Sequence, residues 1–240
     1  MENIHLDIKP KVVTLTITRE HAGNMFDLSM IHAMTQHIHT VSTDAYCIVI
    51  RGAGADFCRG RDPSTAGAHP TPMALRDNLL LPIMDLYDAI KSSKIPVIAV
   101  VQGQALGLGC AIAGVCDITI ADESALFQLP EMQYHLPPTL AISAIVDKIG
   151  KKSTAWMAYS LDKMDAHRAR EMGLINSVVP VGKLDAELER LLDTLTQRDL
   201  MAVKAVKEYL HVAPESGPAV RSMASNLLAL ALSTQAAQKS

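Results

Sequence analysis

One stretch, from Ile95 to Asp117, constrains the fold of this chain more than any other, because it joins a buried strand to a helix through glycine. It opens with Ile95-Pro96 and continues as the apolar run Val97 to Val101, whose β-branched residues are typical of a strand inside a sheet. Gln102-Gly103 ends that run. Gly107-Leu108-Gly109 then precedes a segment rich in Ala, Leu and Ile, which predicts a helix.

A glycine turn that leads into a helix is suited to bind an oxygen that carries negative charge. Glycine lets the backbone approach a ligand closely, and the first N–H groups of a helix have no acceptor within that helix. An anion, or an oxygen that becomes negative during a reaction, is the natural occupant. We therefore expect an oxyanion-binding turn at Gly107-Leu108-Gly109.

The composition is typical of one large globular domain, or of a domain with an appendage. The chain has 240 residues, of which 49% are hydrophobic, 20% charged and 4% aromatic, and this is enough to form a sizeable aliphatic core. The net charge of −3 gives no electrostatic basis for binding nucleic acid or an acidic membrane surface. The N-terminal residues are polar, and no apolar run approaches the roughly 18 residues that span a bilayer, so we expect a soluble, cytoplasmic protein.

The cysteines offer no sign of metal or redox chemistry. Cys47, Cys58, Cys110 and Cys116 lack CxxC spacing and lie in apolar segments, so we expect reduced, buried thiols. A nucleophilic role for Cys58 has no histidine at a supporting spacing. Because no ligand spacing is found, the sequence predicts no metal and no redox cofactor.

Short strand patterns alternate with amphipathic helices along the rest of the chain. Ile4–Lys9 and Val12–Thr18 predict a hairpin, and the spacing of apolar residues from Leu28 to Val41 predicts a helix that begins after Asp27. Residues 63–72 contain three prolines and predict a mobile surface loop. We predict further strands at 45–51, 117–121, 125–128 and 175–179, and further helices at 74–92, 138–149, 151–160, 165–173 and from Lys183 onward.

Four motifs occur along the chain in a fixed order. The first is Phe57-Cys58-Arg59-Gly60-Arg61-Asp62, and the second runs from Pro96 to Gly109 and ends in Cys116-Asp117. The third is Phe127-Gln128-Leu129-Pro130-Glu131, and the fourth spans Ala166 to Ile175. In this order they resemble the signature segments of the enoyl-CoA hydratase/isomerase (crotonase) superfamily. The resemblance covers about Val12 to Val181 and implies an α/β fold with a crotonase-like core of repeated ββα turns.

The resemblance also implies a substrate and an oxyanion hole. Members of the family bind an acyl-CoA, and its thioester oxygen accepts one backbone N–H bond from each of two glycine turns. Here the donors would be the N–H groups of Arg61 and Leu108, which are held by Gly60 in one turn and by Gly107 and Gly109 in the other. Such donors stabilise the enolate that forms when a proton is removed next to the thioester. Coenzyme A enters as part of the substrate, and no separate cofactor is implied.

The acid–base residues favour one branch of the family. Hydratases of this family hold a water molecule between two glutamates; here Glu131 occupies one of those positions and Ala111 the other. A single carboxylate suits a proton shuttle better than it suits water activation. We therefore favour double-bond isomerisation with Glu131 as the acid/base. Hydration with an atypical second polar group and a non-catalytic acyl-CoA-binding or scaffold protein stay open as alternatives.

Several nearby residues have both a functional and a structural interpretation. Arg59 and Arg61 either bind a CoA phosphate or an acidic acyl group, or are solvated or ion-paired on the loop. Asp62 is expected to brace that loop. His135 follows Glu131 by four residues and is a substrate-site residue or a surface histidine. Pro137-Pro138-Thr139 replaces the family's glycine-rich helix start, which places Thr139 at a reshaped acyl pocket.

Two known nucleotide-binding motifs that contain glycine turns fit this sequence poorly. A dinucleotide fingerprint needs a third glycine where this chain has Ile112, and it needs an acidic residue about 20 positions later in a second βα unit. A phosphate-binding P-loop needs Lys followed by Ser or Thr, which neither turn provides. Both interpretations are disfavoured.

The C-terminal residues predict assembly. From Val220 to Ala231 the apolar residues cover more than one helical stripe, so this helix must bury itself against another surface. Similar tails in the resembling family form trimers and dimers of trimers, so we expect a homotrimer or hexamer. We predict an acyl-CoA-binding core at residues 1–181 and a helical oligomerisation segment at residues 182–240.

Overall fold

The computed structural model describes residues 3–41, 44–65, 67, 71–213, 220 and 222–229. In this part of the chain the strands are β1 (Ile4–Lys9), β2 (Val12–Ile17), β3 (Cys47–Gly52), β4 (Val97–Val101), β5 (Gln104–Leu106), β6 (Ile118–Asp122), β7 (Leu126–Gln128), β8 (Met164–Asp165) and β9 (Ser177–Val179). The α-helices are α1 (Leu28–His39), α2 (Pro72–Leu75), α3 (Leu81–Ser92), α4 (Leu108–Val115), α5 (Thr139–Ser160), α6 (Ala166–Glu171), α7 (Leu184–Thr196) and α8 (Leu200–Val212).

Two sheets organise these elements. The larger has the strand order β1-β2-β3-β4-β6-β9, and all of its pairs are parallel except the β1–β2 hairpin. The smaller has the order β5-β7-β8, with β5 parallel to β7. Parallel strands need helical crossovers that cover the faces of the sheet, and this explains why β3 and β4 are apolar almost throughout.

The two faces of the larger sheet have separate cores. Ile48, Ile50 and Ala99 face a large cluster that includes side chains of α1, α3, α4 and α5. The alternate residues Val49 and Ile98 face the opposite side, where Leu184 and Leu188 of α7 cover them. This alternation is the period-two pattern of strand side chains.

Most of the predicted elements are confirmed. The hairpin and α1 lie where the patterns placed them, and the Asp27 carboxylate accepts the Met30 N–H at 2.9 Å as the helix cap. The two helices predicted at 138–149 and 151–160 are the two parts of α5, which meet at Gly150 with φ 74° and ψ 161°. The described positions within 63–72 include a short 3₁₀ turn, Pro63–Thr65, and the start of α2; residues 66 and 68–70 lie outside the described residues.

Two features differ from the sequence-based expectation. The helix predicted at 74–92 contains a π-helical turn, Arg76–Leu80, because Pro82 in the first turn of α3 has no N–H to donate to a preceding carbonyl. The strands β5 and β8, and with them the second sheet, were not predicted, since segments of three and two residues carry no periodic pattern.

The C-terminal helices are attached to the core by a buried ion pair. Lys207 of α8 is 5% exposed, and its Nζ donates to both carboxylate oxygens of Asp117 at 2.8 Å and to the Ile90 carbonyl at 3.1 Å. The same carboxylate accepts the Val97 N–H at 2.8 Å. Residues 220 and 222–229 are helical, whereas Leu230 and Ala231 of the predicted tail lie outside the described residues. The boundary at residues 181 and 182 stays a prediction.

Within the described ranges, every helix is too short or too polar to cross a lipid bilayer. The four cysteines are unpaired and buried, as the sequence predicts.

Candidate active site

The first glycine turn is held by a parallel bridge between Phe26 and Arg61. The Phe26 N–H donates to the Gly60 carbonyl at 2.9 Å, and the Asp62 N–H donates to the Phe26 carbonyl at 2.8 Å. In such a bridge the N–H of the central residue points away from its partner strand. Gly60 has φ 110°, a conformation that favours glycine. The Arg61 N–H is therefore directed away from Phe26, on the side where the second turn lies.

The second glycine turn leads into α4. Gly107 has φ 51° and ψ −113°, donates its N–H to the Gln128 carbonyl at 2.9 Å, and accepts the Ala111 N–H at 2.9 Å. Leu108 is the first residue of the helix, so its N–H has no acceptor within α4. The predicted sequence of strand, glycine turn and helix is confirmed, with β5 inserted before the turn.

The two turns are joined directly through backbone atoms. The Cys58 N–H donates to the Gln104 carbonyl at 3.0 Å, and the Leu106 N–H donates to the Cys58 carbonyl at 2.9 Å. A Cβ on Gly109 would lie 2.1 Å from that Cys58 carbonyl oxygen, and one on Gly60 would lie 3.2 Å from the Leu106 carbonyl oxygen. Only glycine permits this approach, which brings the turn carrying Arg61 against the turn carrying Leu108.

Neither the Arg61 N–H nor the Leu108 N–H has a hydrogen-bond acceptor among the residues that the structure describes. Buried or half-buried backbone donors are nearly always paired in folded proteins. Two unpaired donors on adjoining turns are the arrangement that an oxyanion hole requires.

Glu131 lies at the second turn. It begins the 3₁₀ turn Glu131–Tyr134, and its Oε1 is 2.8 Å from the position that a Cβ on Gly107 would occupy. Its Oε2 is buried and has no hydrogen-bond partner within the described ranges. Burial raises the pKa of this carboxyl group above its usual range. A carboxylate with this environment is suited to accept and return a proton.

Asp62 braces the first turn, as expected. It is 6% exposed, its carboxylate contacts the Arg19 guanidinium at 2.7 Å, and it accepts the Ser64 N–H at 2.9 Å and the Ser64 hydroxyl at 2.6 Å. The Ser64 hydroxyl, followed by the other bonds to Arg19 and Ser64, lowers the pKa of Asp62 to about 2. These bonds fix the backbone that carries the Arg61 N–H.

The two arginines of the first motif point to different surroundings. Arg59 is exposed, its N–H donates to the Gly23 carbonyl at 3.0 Å, and its side-chain Cδ is 2.4 Å from where a Cβ on Gly23 would lie. Arg61 is half-buried, and one guanidinium N–H donates to the Asp62 carbonyl at 3.3 Å. No ion pair of either arginine is found among the described residues.

Of the remaining predicted residues, Ala111 is buried, whereas His135 and Thr139 are exposed. Ala111 is fully buried in the first turns of α4. His135 is exposed, with φ 59° closing the turn after Glu131, and no hydrogen bond between its imidazole and the Glu131 carboxylate is found within the described ranges. Thr139 is exposed at the start of α5, where its carbonyl accepts the Ser143 hydroxyl at 2.9 Å.

Sequence reasoning missed Asn24 and Tyr87. Asn24 is 1% exposed, and its amide nitrogen donates to the Ala53 and Asp56 carbonyls at 2.8 and 2.7 Å, while its side-chain oxygen accepts the Arg19 N–H at 3.0 Å. It ties the turn after β3 to the loop before α1. Tyr87 of α3 is buried, and burial, followed by the charge of Glu131, raises its pKa. Neither lies in a motif that the sequence marks.

A cavity of about 440 Å³ lies elsewhere, at the carboxyl ends of β2, β3, β4 and β6. Its lining includes Thr16, Arg51, Gln102 and Asp122, and none of the predicted site residues. The site at the glycine turns is therefore defined by backbone geometry and by the half-buried Glu131, not by this cavity. In the described part of the chain, three or more His, Cys, Asp or Glu side chains never group in a way that would hold a metal ion.

The family model for enoyl-CoA hydratase/isomerase matches residues 7–240 of this chain. The chain belongs to the enoyl-CoA hydratase/isomerase family.

Individual relatives agree with this membership. The chain is 27% identical over 222 residues to the 2,3-dehydroadipyl-CoA hydratase of Escherichia coli K12, covering 90% of this chain and 84% of the relative. It is 31% identical over 198 residues to the enoyl-CoA hydratase EchA19 of Mycobacterium tuberculosis, covering 80% of this chain and 74% of the relative.

Solved structures agree on the fold. An enoyl-CoA hydratase from Mycobacterium smegmatis superposes with a TM-score of 0.91 at 26% identity, covering 96% of this chain and 91% of that one. A Thermobifida fusca protein assigned to the enoyl-CoA hydratases, solved in complex with acetoacetyl-CoA, gives a TM-score of 0.87 at 26% identity, covering 97% and 96%. The protein therefore has the crotonase fold and is an acyl-CoA enzyme of the hydratase/isomerase type.

The bracing role of Asp62 predicts a pH dependence of stability. Because its folded-state pKa is about 2, below the ordinary aspartate value of about 3.9, its ionised form stabilises the fold above about pH 4. That contribution should be lost as the pH falls towards 2. Urea unfolding of wild type and Asp62→Asn should therefore show a difference in the free energy of unfolding that is constant at neutral pH and shrinks in acid.

Asp147→Asn serves as the control for removing one negative charge, because the Asp147 side chain is 56% exposed. A difference between wild type and Asp62→Asn that is the same at pH 7 and pH 2.5 would contradict the bracing role.

Proposed function

We propose that this enzyme isomerises the double bond of an enoyl-CoA, with the thioester oxygen bound by the N–H groups of Arg61 and Leu108 and with Glu131 moving the proton. The observation that supports the proposal most directly is the position of Glu131, whose Oε1 adjoins Gly107 in the turn that carries the Leu108 donor. Gly60 and Gly109 serve by letting the two turns meet, and Gly107 serves by letting the Glu131 carboxylate approach the second turn.

The donors act on charge that develops during the reaction. Removal of a proton from carbon 2 of a 3-enoyl-CoA leaves a dienolate whose negative charge rests largely on the thioester oxygen. Donors fixed by backbone hydrogen bonds stabilise this charge without reorganising, by about 3 kcal/mol for one donor. The Phe26–Arg61 bridge and the α4 N-terminus supply this fixation.

Glu131 completes the cycle of proton transfer. Its carboxylate takes the proton from carbon 2, the electron pair of the broken C–H bond enters the dienolate, and the carboxyl group returns the proton at carbon 4. The double bond then lies between carbons 2 and 3, and the carboxylate is regenerated. Since burial raises the pKa of Glu131, the carboxylate is a stronger base than an exposed glutamate.

Isomerisation is favoured over hydration because of Ala111. Hydratases of this family place a second glutamate at that position, and a fully buried alanine offers no group to orient water. Hydration stays the second candidate because the relatives at 27% and 31% identity are named hydratases. The third candidate is a non-catalytic acyl-CoA-binding protein, because Ala111 stands in place of an acid–base residue.

The substrate contacts outside the reacting centre are part of the proposal. Arg59 and Arg61 present guanidinium groups beside the first turn, suited to a CoA phosphate or an acidic acyl group. Thr139, at the start of α5, and the exposed His135 lie on the segments that follow Glu131 and are proposed to border the acyl group. Two structural neighbours from Thermobifida fusca were solved with CoA and with acetoacetyl-CoA, which supports a CoA thioester as ligand.

Glu131→Gln tests the central role. The substitution keeps the shape of the side chain and removes its basicity, so isomerisation of a 3-enoyl-CoA should fall by about 10²- to 10⁴-fold. In wild type, activity should decline on the acid side at a pH above the ordinary glutamate pKa, because burial raises the pKa of Glu131. Product formation from 3-enoyl- and 2-enoyl-CoA is the measurement, with Glu189→Gln, an exposed glutamate of α7, as the control.

Each outcome of this experiment has a distinct meaning. Hydration of 2-enoyl-CoA that survives in Glu131→Gln would favour the hydratase with another polar group. CoA binding without turnover of either substrate by wild type would favour the non-catalytic protein. Isomerisation that Glu131→Gln leaves intact would overturn the proposal.

We also propose that the protein assembles as a homotrimer or as a dimer of trimers. The exposed apolar side chains of the C-terminal helices support this: Met201, Val206, Leu210 and Leu228 are each more than half exposed in the single chain. Light scattering at micromolar concentration should give three or six times the mass of the chain. A monomer mass would contradict it.

A further inference from the structure

The direction of the Arg61 N–H is set by the segment of chain that precedes α1. Phe26 of that segment forms the parallel bridge with Arg61. Its N–H donates to the Gly60 carbonyl at 2.9 Å, and its carbonyl accepts the Asp62 N–H at 2.8 Å. These two bonds lie one on each side of Arg61, so a shift of Phe26 would redirect the N–H that the proposed oxyanion hole uses.

A single side chain is bonded to both segments of this bridge. The Arg19 guanidinium donates through Nη1 to the Met25 carbonyl at 2.9 Å, and its Nη2 lies 2.7 Å from Oδ2 of Asp62. Met25 directly precedes Phe26, and Asp62 directly follows Arg61. Because a guanidinium is planar and its donors have a fixed geometry, it sets the separation of its two acceptors.

The Arg19 side chain is held at its base as well as at its tip. The Arg19 N–H donates to the side-chain oxygen of Asn24 at 3.0 Å, and the Arg19 carbonyl accepts the Asn24 N–H at 2.9 Å. The Asn24 amide nitrogen donates in turn to the Ala53 and Asp56 carbonyls, on the chain that leads from β3 to the first turn. The side chains of Arg19 and Asp62 are only 15% and 8% exposed, so water and salt screen their attraction little.

The two arginines of the first motif make different contacts. The Arg61 guanidinium donates to the Asp62 carbonyl at 3.3 Å, which links the first turn only to itself. The Arg59 side chain lies against Gly23, with its Cδ 2.4 Å from where a Cβ on that glycine would lie. Within the described ranges, Arg19 is therefore the arginine whose guanidinium joins the first turn to the segment paired with it.

We propose that Arg19 is a positioning residue for the oxyanion donor of the first turn. Its guanidinium keeps Met25 and Asp62 at a fixed separation, and this holds the Arg61 N–H on the thioester oxygen while negative charge develops there. Such a donor contributes most in the transition state, so its displacement lowers turnover more than it weakens binding. The inference rests on the proposed oxyanion role of Arg61, and it assigns a function to a residue outside the four motifs.

Arg19→Lys keeps the positive charge beside Asp62 but replaces the planar fork with an ammonium group on a flexible stem. We expect kcat for enoyl-CoA turnover to fall by about 10- to 100-fold, with KM changed by less than about threefold. Arg190→Lys is the matched control and should keep wild-type turnover. Arg190 also makes two hydrogen bonds to one carboxylate, that of Glu187, but its side chain is 65% exposed on α7.

A second measurement reports on the donor without turnover. Hexanoyl-CoA has no double bond to isomerise or hydrate, and hydrogen bonds to its thioester oxygen lower the stretching frequency of the carbonyl. Infrared spectra of the bound ligand, labelled with ¹³C at that carbonyl, should show a lower frequency in wild type than in buffer. The decrease should be smaller in Arg19→Lys and in Asp62→Asn, which removes the charge at the other end of the ion pair, and unchanged in Arg190→Lys.

The double variant tests whether the two residues act together. If Arg19 and Asp62 form one device, Arg19→Lys combined with Asp62→Asn should be about as slow as the slower single variant. Independent, multiplying losses in kcat would contradict it. Should Arg19→Lys not fold, a folded Asp62→Asn with the wild-type carbonyl frequency would also overturn the inference.

The remaining outcomes separate this inference from the proposed function. Wild type that lowers the carbonyl frequency, with a smaller decrease in Arg19→Lys, but turns over neither 2-enoyl- nor 3-enoyl-CoA would support the positioning role while removing the proposed isomerisation. A folded Arg19→Lys with wild-type kcat and carbonyl frequency would overturn the inference. A loss of thermal stability with both of those readouts unchanged would do so too, because Arg19 would then serve the fold alone.

Discussion

The backbone contact between the two glycine turns is the interaction on which the rest of the site depends. Cys58 pairs with the β5 backbone through both its N–H and its carbonyl, and Gly109 approaches that carbonyl so closely that no side chain fits. This contact sets the position of the α4 N-terminus relative to Arg61. Any residue larger than glycine at 109 would push apart the two N–H groups that the proposed chemistry uses.

The unpaired polar groups of this site lower the stability of the fold. Two backbone donors and one carboxylate oxygen lack partners within the described residues, and an unmet buried group costs about 1–3 kcal/mol. The surrounding bonds offset this by fixing the loops: Asn24 ties the turn after β3 to the loop before α1, and Asp62 holds Arg19 and Ser64. Such unmet groups mark functional sites in proteins whose local structure is otherwise consistent.

The sequence predicts those parts of the site that depend on local patterns of residues. The buried strand at Val97–Val101, the helix that begins at Leu108 and the cap at Asp27 follow from hydrophobic periodicity and capping chemistry, and the structure has them. Motif order was enough to place the chain in its family, which the family model then matched over residues 7–240.

The sequence does not predict contacts between isolated residues that are far apart along the chain. The short strand β5 has three residues and no periodicity, yet it is the element that joins the two turns. Asn24 sits outside every motif, because a hydrogen bond to a residue about 30 positions away leaves no local pattern. The exposure of His135 and its left-handed backbone, which closes the turn after Glu131, are likewise not predicted by spacing alone.

The most direct test of the central claim is a crystal structure of this protein with acetoacetyl-CoA bound. The account predicts that the thioester oxygen lies about 3 Å from the backbone nitrogens of both Arg61 and Leu108, with the Glu131 carboxylate facing the adjoining carbon. A thioester oxygen bound by neither N–H group, or a ligand seated instead in the cavity beside Arg51 and Asp122, would contradict it.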